Sequence, residues 1–459
     1  MSSQASAQET SIAGSFRIIP RAGHSISRKD ISPGALRVLY RLHEAGFRAC
    51  LVGGAVRDLL LAGHPKDFDI ATNATPEEVR GLFRNCRLIG RRFRLAHVVF
   101  GREIVEVATF RGSSDDGSGD RHLVDGRLVR DNVYGSIEED AVRRDFTINA
   151  LYYDIADFSV LDSVGGMADL DHRVLRLIGE PELRYREDPV RMLRAARLAA
   201  KLDFDIAPQT AAPFATLGGL LSEAPPARLF DESLKLFLSG YGLASFRALE
   251  RYGLLQHVFP ATARVLGADA PAYVRSLLEQ TLASTDERVG ADKPVTPAFL
   301  FAAMLWEPVR QAAQAMIAEG VEPIVAWPHA SDRILREQAQ RVAIPRRFTI
   351  TIEEIWALQA RFAQRTKKRA FRLLEHPRFR AAYDFLLLRA DESPELAELA
   401  QWWTEAQQVD QTELVNRLSA VPPTTDDVPP KAKRKRARRR RRKARPGADA
   451  TAQASDAGE

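Results

Sequence analysis

Cysteine is nearly absent: 459 residues hold only Cys50 and Cys86. Both lie in apolar or strand-like segments with no CxxC or Cys/His spacing, which argues against a zinc site or a disulfide framework and leaves buried free thiols. No window approaches the roughly 18 uninterrupted apolar residues of a membrane span, and the Ser-, Gln- and Ala-containing start lacks a signal-peptide core. A soluble, cytoplasmic chain is the expectation. No His-Asp dipeptide occurs, so the metal phosphohydrolase domain that carries one is not evident. An excess of acid is missing too, since the net charge is +6. That figure misleads, because twelve Lys and Arg crowd between Lys431 and Arg445 and the remainder is mildly acidic. So dense a block is disordered and creates a strong field for polyanions, which makes Lys433, Arg434, Arg438 and Arg439 candidate RNA contacts.

What is present points to several domains, because the chain is longer than one core usually serves. Residues 1–23 read as a disordered leader closed by Pro20 and Gly23. From 24 to 162, helices alternate with β-rich runs at Ala49 to Val52, Phe68 to Ile70, His97 to Phe100 and Ile104 to Phe110, an α/β pattern. The polar stretch from Gly112 to Asp120 interrupts it as a mobile loop. After Gly165 and Gly166 the alternation gives way to helical spacing, divided by Pro225 and Pro226, Pro260, Pro328 and Pro345. A neck over 163–240, a helical body over 241–405 and a disordered basic tail over 406–459 complete the expected organisation.

The sharpest local feature is Leu51-Val52-Gly53-Gly54-Ala55-Val56-Arg57-Asp58, followed by Lys66-Asp67-Phe68-Asp69-Ile70. Gly53 and Gly54 after an apolar strand let a ligand approach the backbone, and a helix from Ala55 would aim N–H groups at phosphate, with Arg57 in its first turn. A plain structural turn reads the same way. Residues two apart in a strand face one side, so Asp67 and Asp69 can share Mg²⁺ or Mn²⁺ with phosphate oxygens and water, the chemistry of nucleotidyl transfer. Glu106, in the run from Ile104 to Phe110, is a third carboxylate by strand logic.

The GGxVRD run followed by DxD resembles the head domain of the bacterial poly(A) polymerase and tRNA nucleotidyltransferase family. Arg143-Arg144-Asp145-Phe146-Thr147-Ile148-Asn149-Ala150 is similar to the same family's RRDFTINA motif, and Ser136 and Glu139 before it have capping-box spacing. The resemblance implies an α/β nucleotidyltransferase head with a polymerase-β-like mixed sheet, followed by an all-helical RNA-binding region. It implies that Arg144 and Asp145 face the nucleotide, with Asp145 completing the catalytic set, ahead of Glu106, or holding the ribose. On charge alone, Arg144 and Asp145 could equally be a supporting ion pair.

Glu187-Asp188-Pro189-Val190-Arg191-Met192-Leu193-Arg194-Ala195 is similar to the family's EDxxRxLRA motif. On a helical wheel Arg191, Arg194, Arg197 and Lys201 gather opposite Met192, Leu193, Ala196 and Ala200, which is either a solvated cationic face or a ligand-binding one. The resemblance implies that Asp188 and Arg191 read the base of the incoming nucleotide, while Arg194, Arg197 and Lys201 meet phosphates or RNA. His24 to Ser32, Gly90 to His97, Arg228 to Lys235 and Phe371 to Pro377 resemble the poly(A)-adding branch. That branch implies ATP as substrate, RNA 3′ ends as acceptors and a role in RNA processing and decay, with RNA-decay or RNA-chaperone proteins as partners of a monomer. A CCA-adding enzyme and a non-catalytic RNA-binding scaffold are the competing readings.

Overall fold

The computed structural model describes residues 16–90, 94–112, 121–124, 127–131 and 133–420. Its first part is organised by β-rich runs separated by glycine-bearing turns. These are β1 (Arg17–Ile19), β2 (Ala49–Val52), β3 (Asp69–Thr72), β4 (Cys86–Ile89), β5 (Leu95–Phe100) and β6 (Glu103–Thr109), then β9 (Leu151–Asp154) and β10 (Val160–Asp162). Together they form an eight-stranded sheet in the order β1-β10-β9-β2-β3-β6-β5-β4, and a separate hairpin joins β7 (Arg121–Val124) to β8 (Arg127–Asp131). Only β3 and β6 run parallel within the sheet, which makes it mixed. Every residue of β2 and β9 is buried, so these central strands, apart from Asp154 at the end of β9, read as continuous runs rather than as an alternation.

The sheet claims residues that were expected in a flexible leader. Arg17–Ile19 pairs antiparallel with β10 and buries Ile19; three residues are too few for a period to register in the sequence. At the other end, Asp410 accepts the backbone N–H groups of Thr412 and Glu413 at 2.8 Å and starts the Gln411–Ala420 helix, whose Leu414 and Leu418 are buried. Order therefore runs past residue 406.

Beyond Gly166, the described chain is helical apart from the two-residue parallel pair β11 (Val174–Leu175) and β12 (Asp205–Ile206). Pro226, Pro260 and Pro345 start helices as the sequence suggests, whereas Pro328 lies inside the Pro323–Ala339 helix, where it removes one intrahelical donor. The Val190–Leu202 helix, here the neck helix, buries Val190, Met192, Leu193, Ala195, Ala196, Leu198 and Ala199. One apolar cluster runs without a break from Ile19 in the sheet to Phe385 among the later helices. A smaller one, from Leu358 to Leu418, contains Trp403 and packs Trp402 at its edge. Among the described residues, no helix is long and apolar enough to cross a membrane. Cys50 is buried in β2 and Cys86 is half-buried; both are free thiols.

Candidate active site

Register places the first two components. Asp69 opens β3, with Val52 opposite it on β2 and Glu106 opposite it on the parallel β6. Two carboxylates thus stand side by side on neighbouring strands, whereas Asp67, expected on the same strand as Asp69, precedes β3 in exposed irregular backbone. His97 on β5 closes the far side, its Nε2 3.2 Å from Glu106. Burial, then the Glu106 charge, push the Asp69 carboxyl up from 3.8 to about 6, with Asp67 adding and Arg144 opposing. Like charges gathered this way suit a divalent cation, which takes oxygen donors and neutralises them.

Asp69 has a definite cost for the fold. A folded-state pKa above the unfolded value means that the folded protein holds more protons between the two, so stability falls as pH rises from about 4 to about 6. Discounted for the solvent exposure of Asp69, the cost at pH 8 is about 1 kcal/mol. Asp69→Asn therefore raises Tm at pH 8 by about 1–2 °C and leaves it unchanged at pH 4. Mg²⁺ raises Tm of the parent but not of the variant, as differential scanning calorimetry will read.

Gly53 supplies the opening. Its φ of +74° and ψ of −138° cap the Gly54–Leu60 helix. A Cβ there would stand 3.7 Å from Arg144 Nη1 and 3.9 Å from Asp69 Oδ2. The missing side chain leaves the space between a guanidinium and a carboxylate clear.

Arg144 itself is tightly held. Its Nε donates to Tyr152 Oη at 2.9 Å and to Asp140 Oδ2 at 3.1 Å, and Nη2 reaches the same Asp140 oxygen at 2.9 Å. Burial works against its charge, but Tyr152 and Asp140 outweigh it and hold the guanidinium protonated. Ser136 and Glu139 form the expected capping box on the Ile137–Arg143 helix that delivers it.

Asp145 is enclosed rather than open. It accepts from Arg194 Nε at 2.9 Å and from Arg194 Nη2, from Asn149 Nδ2 at 3.2 Å and from the Phe146 N–H at 2.8 Å. Against the cost of burial, these partners, Arg194 foremost, hold its carboxyl down at about 2. Its donors tie the neck helix to the sheet domain.

The rest of the basic face of the neck helix is engaged in the same way. Arg197 pairs with Glu232 at 2.6 Å, Lys201 with Asp58 at 3.0 Å, and Arg191 with Glu187 at 3.1 Å and the Arg184 carbonyl at 2.8 Å. Arg57 is buried, donating to Asp58 at 2.8 Å and Asn149 at 2.6 Å. Arg57, Arg197 and Lys201, expected to meet nucleotide or RNA, thus each hold an internal partner as well. Lys433, Arg434, Arg438 and Arg439, and the loop from 113 to 120, lie outside the described residues.

The sequence showed Arg228 only as the start of a segment resembling the poly(A)-adding branch, and its contact was missed. Arg228, on the Pro226–Phe237 helix, grips both oxygens of Asp188 with a two-pronged contact at 2.8 and 2.7 Å. Asp188 ends the Pro181–Glu187 helix and also accepts the Val190 N–H at 3.2 Å. A forked contact of this kind fixes the plane of a carboxylate. A basic residue forty positions downstream on another helix leaves no local signal of such a role.

Comparison with known proteins decides the family. A poly A polymerase head domain matches residues 49–176, a "probable RNA and SrmB-binding site of polymerase A" matches 203–266, and a polymerase A arginine-rich C-terminus matches 319–443. Poly(A) polymerase I of Escherichia coli O6:H1 is 54% identical over 415 residues, covering 88% of this chain and 89% of that one. The chain belongs to the bacterial poly(A) polymerase I family. It is accordingly an enzyme, a polynucleotide adenylyltransferase. A CCA-adding enzyme of Lactobacillus gasseri is 36% identical over only 50% of this chain and 56% of its own length. The fold is nevertheless shared: a Thermotoga maritima CCA-adding enzyme complexed with tRNA superposes at a TM-score of 0.58 and 20% identity, over 88% of this chain and 90% of that one.

Proposed function

We propose that this polymerase transfers AMP from ATP to the 3′ hydroxyl of RNA without a nucleic-acid template, releasing pyrophosphate, and that it serves cytoplasmic RNA processing and decay. The observation that carries the reading is the juxtaposition of Asp69 and Glu106 across β3 and β6, beside Gly53 and Arg144. In this reading the sheet domain performs the chemistry, the neck selects the nucleotide and the helical body supports the RNA.

Asp67, Asp69 and Glu106 would hold Mg²⁺ or Mn²⁺, which lowers the charge on the transferring phosphate and favours the attacking and leaving oxygens. Glu106 takes the third place in preference to Asp145, whose oxygens are occupied by Arg194, Asn149 and the Phe146 N–H. Arg144 faces the phosphates past Gly53, its charge secured by Asp140 and Tyr152. The RNA 3′ hydroxyl gives up its proton to solvent and its oxygen bonds to the α-phosphorus as the bond from that phosphorus to pyrophosphate breaks. Asp188 and Arg191 choose the base, and Arg228 keeps the Asp188 carboxylate in one plane. Protein hydrogen-bonding groups discriminate strongly because a mismatched base leaves them unpaired.

Incorporation of one nucleotide at a time, on unstructured RNA and on tRNA lacking CCA, tests the assignment. ATP incorporation on unstructured RNA is the expected result; CTP addition to the truncated tRNA would make the enzyme a CCA-adding one, and no incorporation would leave only an RNA-binding scaffold. In the same assay Arg228→Ala narrows the ATP-to-CTP ratio of kcat/KM by about 10-fold, the worth of roughly one charge-assisted hydrogen bond. An unaltered ratio would reduce Arg228 to a packing role.

A further inference from the structure

The carboxylates of the proposed metal site are not held alike. Asp67 and Asp69 have short side chains, and neither carboxylate accepts a hydrogen bond among the described residues. Glu106 has one more methylene and its side chain is 41% exposed, so without a partner its carboxylate would turn freely and would lose that rotamer freedom on fixing an ion. A partner is in place. His97 Nε2 donates to Glu106 Oε2 at 3.2 Å, and among the described residues Glu106 is the only hydrogen-bond partner of that ring.

Strand register produces the contact. His97 on β5 stands opposite Glu106 on β6, which in turn stands opposite Asp69 on β3. Ala96 and Val98 on β5 are buried, as are Val105 and Val107 on β6, so the alternation turns His97 and Glu106 together away from that buried face. One strand further out, Arg87 on β4 stands opposite His97. A guanidinium has no acceptor to offer the ring, which leaves Glu106 as the acid in register with it. Neighbouring strands lie about 4.8 Å apart, which sets His97 about 10 Å from Asp69 along the row at the backbone. The ring therefore reaches an ion held between Asp69 and Glu106 by way of the Glu106 carboxylate.

We propose that His97 is a positioning residue: its Nε2–H engages one oxygen of Glu106, so that Glu106 offers the divalent cation its other oxygen in a fixed direction. The inference rests on the metal site proposed above. An outer hydrogen bond of this kind orients a ligand carboxylate and strengthens metal affinity. It also bears on which ion is taken. A small octahedral ion is served by singly bound oxygens, whereas Ca²⁺ accepts more oxygens, both atoms of one carboxylate among them. Occupying one oxygen of Glu106 thus favours the smaller ion.

The test is Mn²⁺ binding to the full chain, with free ion counted by electron paramagnetic resonance and Ca²⁺ as competitor. His97→Phe, which keeps a ring without a donor, raises the Kd for Mn²⁺ about 10-fold and that for Ca²⁺ by less than about 3-fold. His97→Gln, whose amide N–H replaces the Nε2 donor, returns Mn²⁺ binding to within about 3-fold of the parent. On a Glu106→Ala background His97→Phe adds no further loss, because the group through which it acts is gone. AMP incorporation by His97→Phe falls at low Mg²⁺ and recovers as Mg²⁺ is raised, which damaged packing would not do. If His97→Phe does not fold, His97→Ala replaces it with the same expected losses. Equal losses for the two ions, no rescue by Gln, or a further loss on the Glu106→Ala background would overturn the proposal and leave His97 a packing role. Nitrogen coupling in the spectrum of Mn²⁺ bound to the parent would also overturn it, by making the ring a ligand. Mn²⁺ binding undiminished in Asp69→Ala would remove the metal site itself, whereas binding lost in Asp69→Ala but kept in His97→Phe defeats this inference alone.

Discussion

Asp69→Ala lowers kcat for AMP incorporation by at least about 100-fold, with little change in the Kd for ATP measured by equilibrium binding. A preorganised electrostatic stabiliser of a transferring group is typically worth about 3 kcal/mol or more, and Asp69 lies at the point where β3, β6 and the Gly53 opening meet. Glu106→Gln follows it to within about 10-fold if the two carboxylates act as a unit. Below saturating Mg²⁺, the parent enzyme loses activity as pH falls through about 6, where Asp69 takes up its proton, and the limb moves to lower pH as Mg²⁺ is added. Near-normal incorporation by Asp69→Ala, still dependent on Mg²⁺, would remove Asp69 from the metal site.

Asp145→Ala behaves differently: it destabilises the fold by about 2–3 kcal/mol and costs activity mainly by unfolding. The substitution leaves Arg194 without the partner that it grips with two nitrogens, and an unpaired, partly buried charge carries a penalty of that order. Arg194→Met on the Asp145→Ala background restores part of the loss, because no charge is then stranded. Urea unfolding of the parent, both single variants and the double variant gives the coupling. An unchanged midpoint for Asp145→Ala, with kcat falling as far as in Asp69→Ala, would return Asp145 to the catalytic set.

The contrast between these two aspartates marks what the sequence could and could not convey. Strand runs and the glycine pair are local, and they carried the sheet domain; the DxD spacing put Asp69 on a strand but not Asp67, which precedes β3. The capping box at Ser136 is equally local. Register and partners bear on the choice between Glu106 and Asp145 that we propose: Glu106 neighbours Asp69 through strand pairing, whereas Asp145 is claimed by an arginine 49 positions away. The wheel of the neck helix showed where its cations gather but not that Glu232 and Asp58, distant in sequence, neutralise Arg197 and Lys201. The fork of Arg228 on Asp188 was hidden for the same reason.

The two apolar clusters also divide the light that the molecule emits. All five tryptophans lie between Trp306 and Trp403, three with the larger cluster and two with the smaller. The sheet domain contains none. Indole emission consequently observes the helical half alone: ATP seated by Asp69 would have no indole among its proposed contacts to quench. A change in that emission on adding ATP would report a rearrangement among the helices rather than the nucleotide itself.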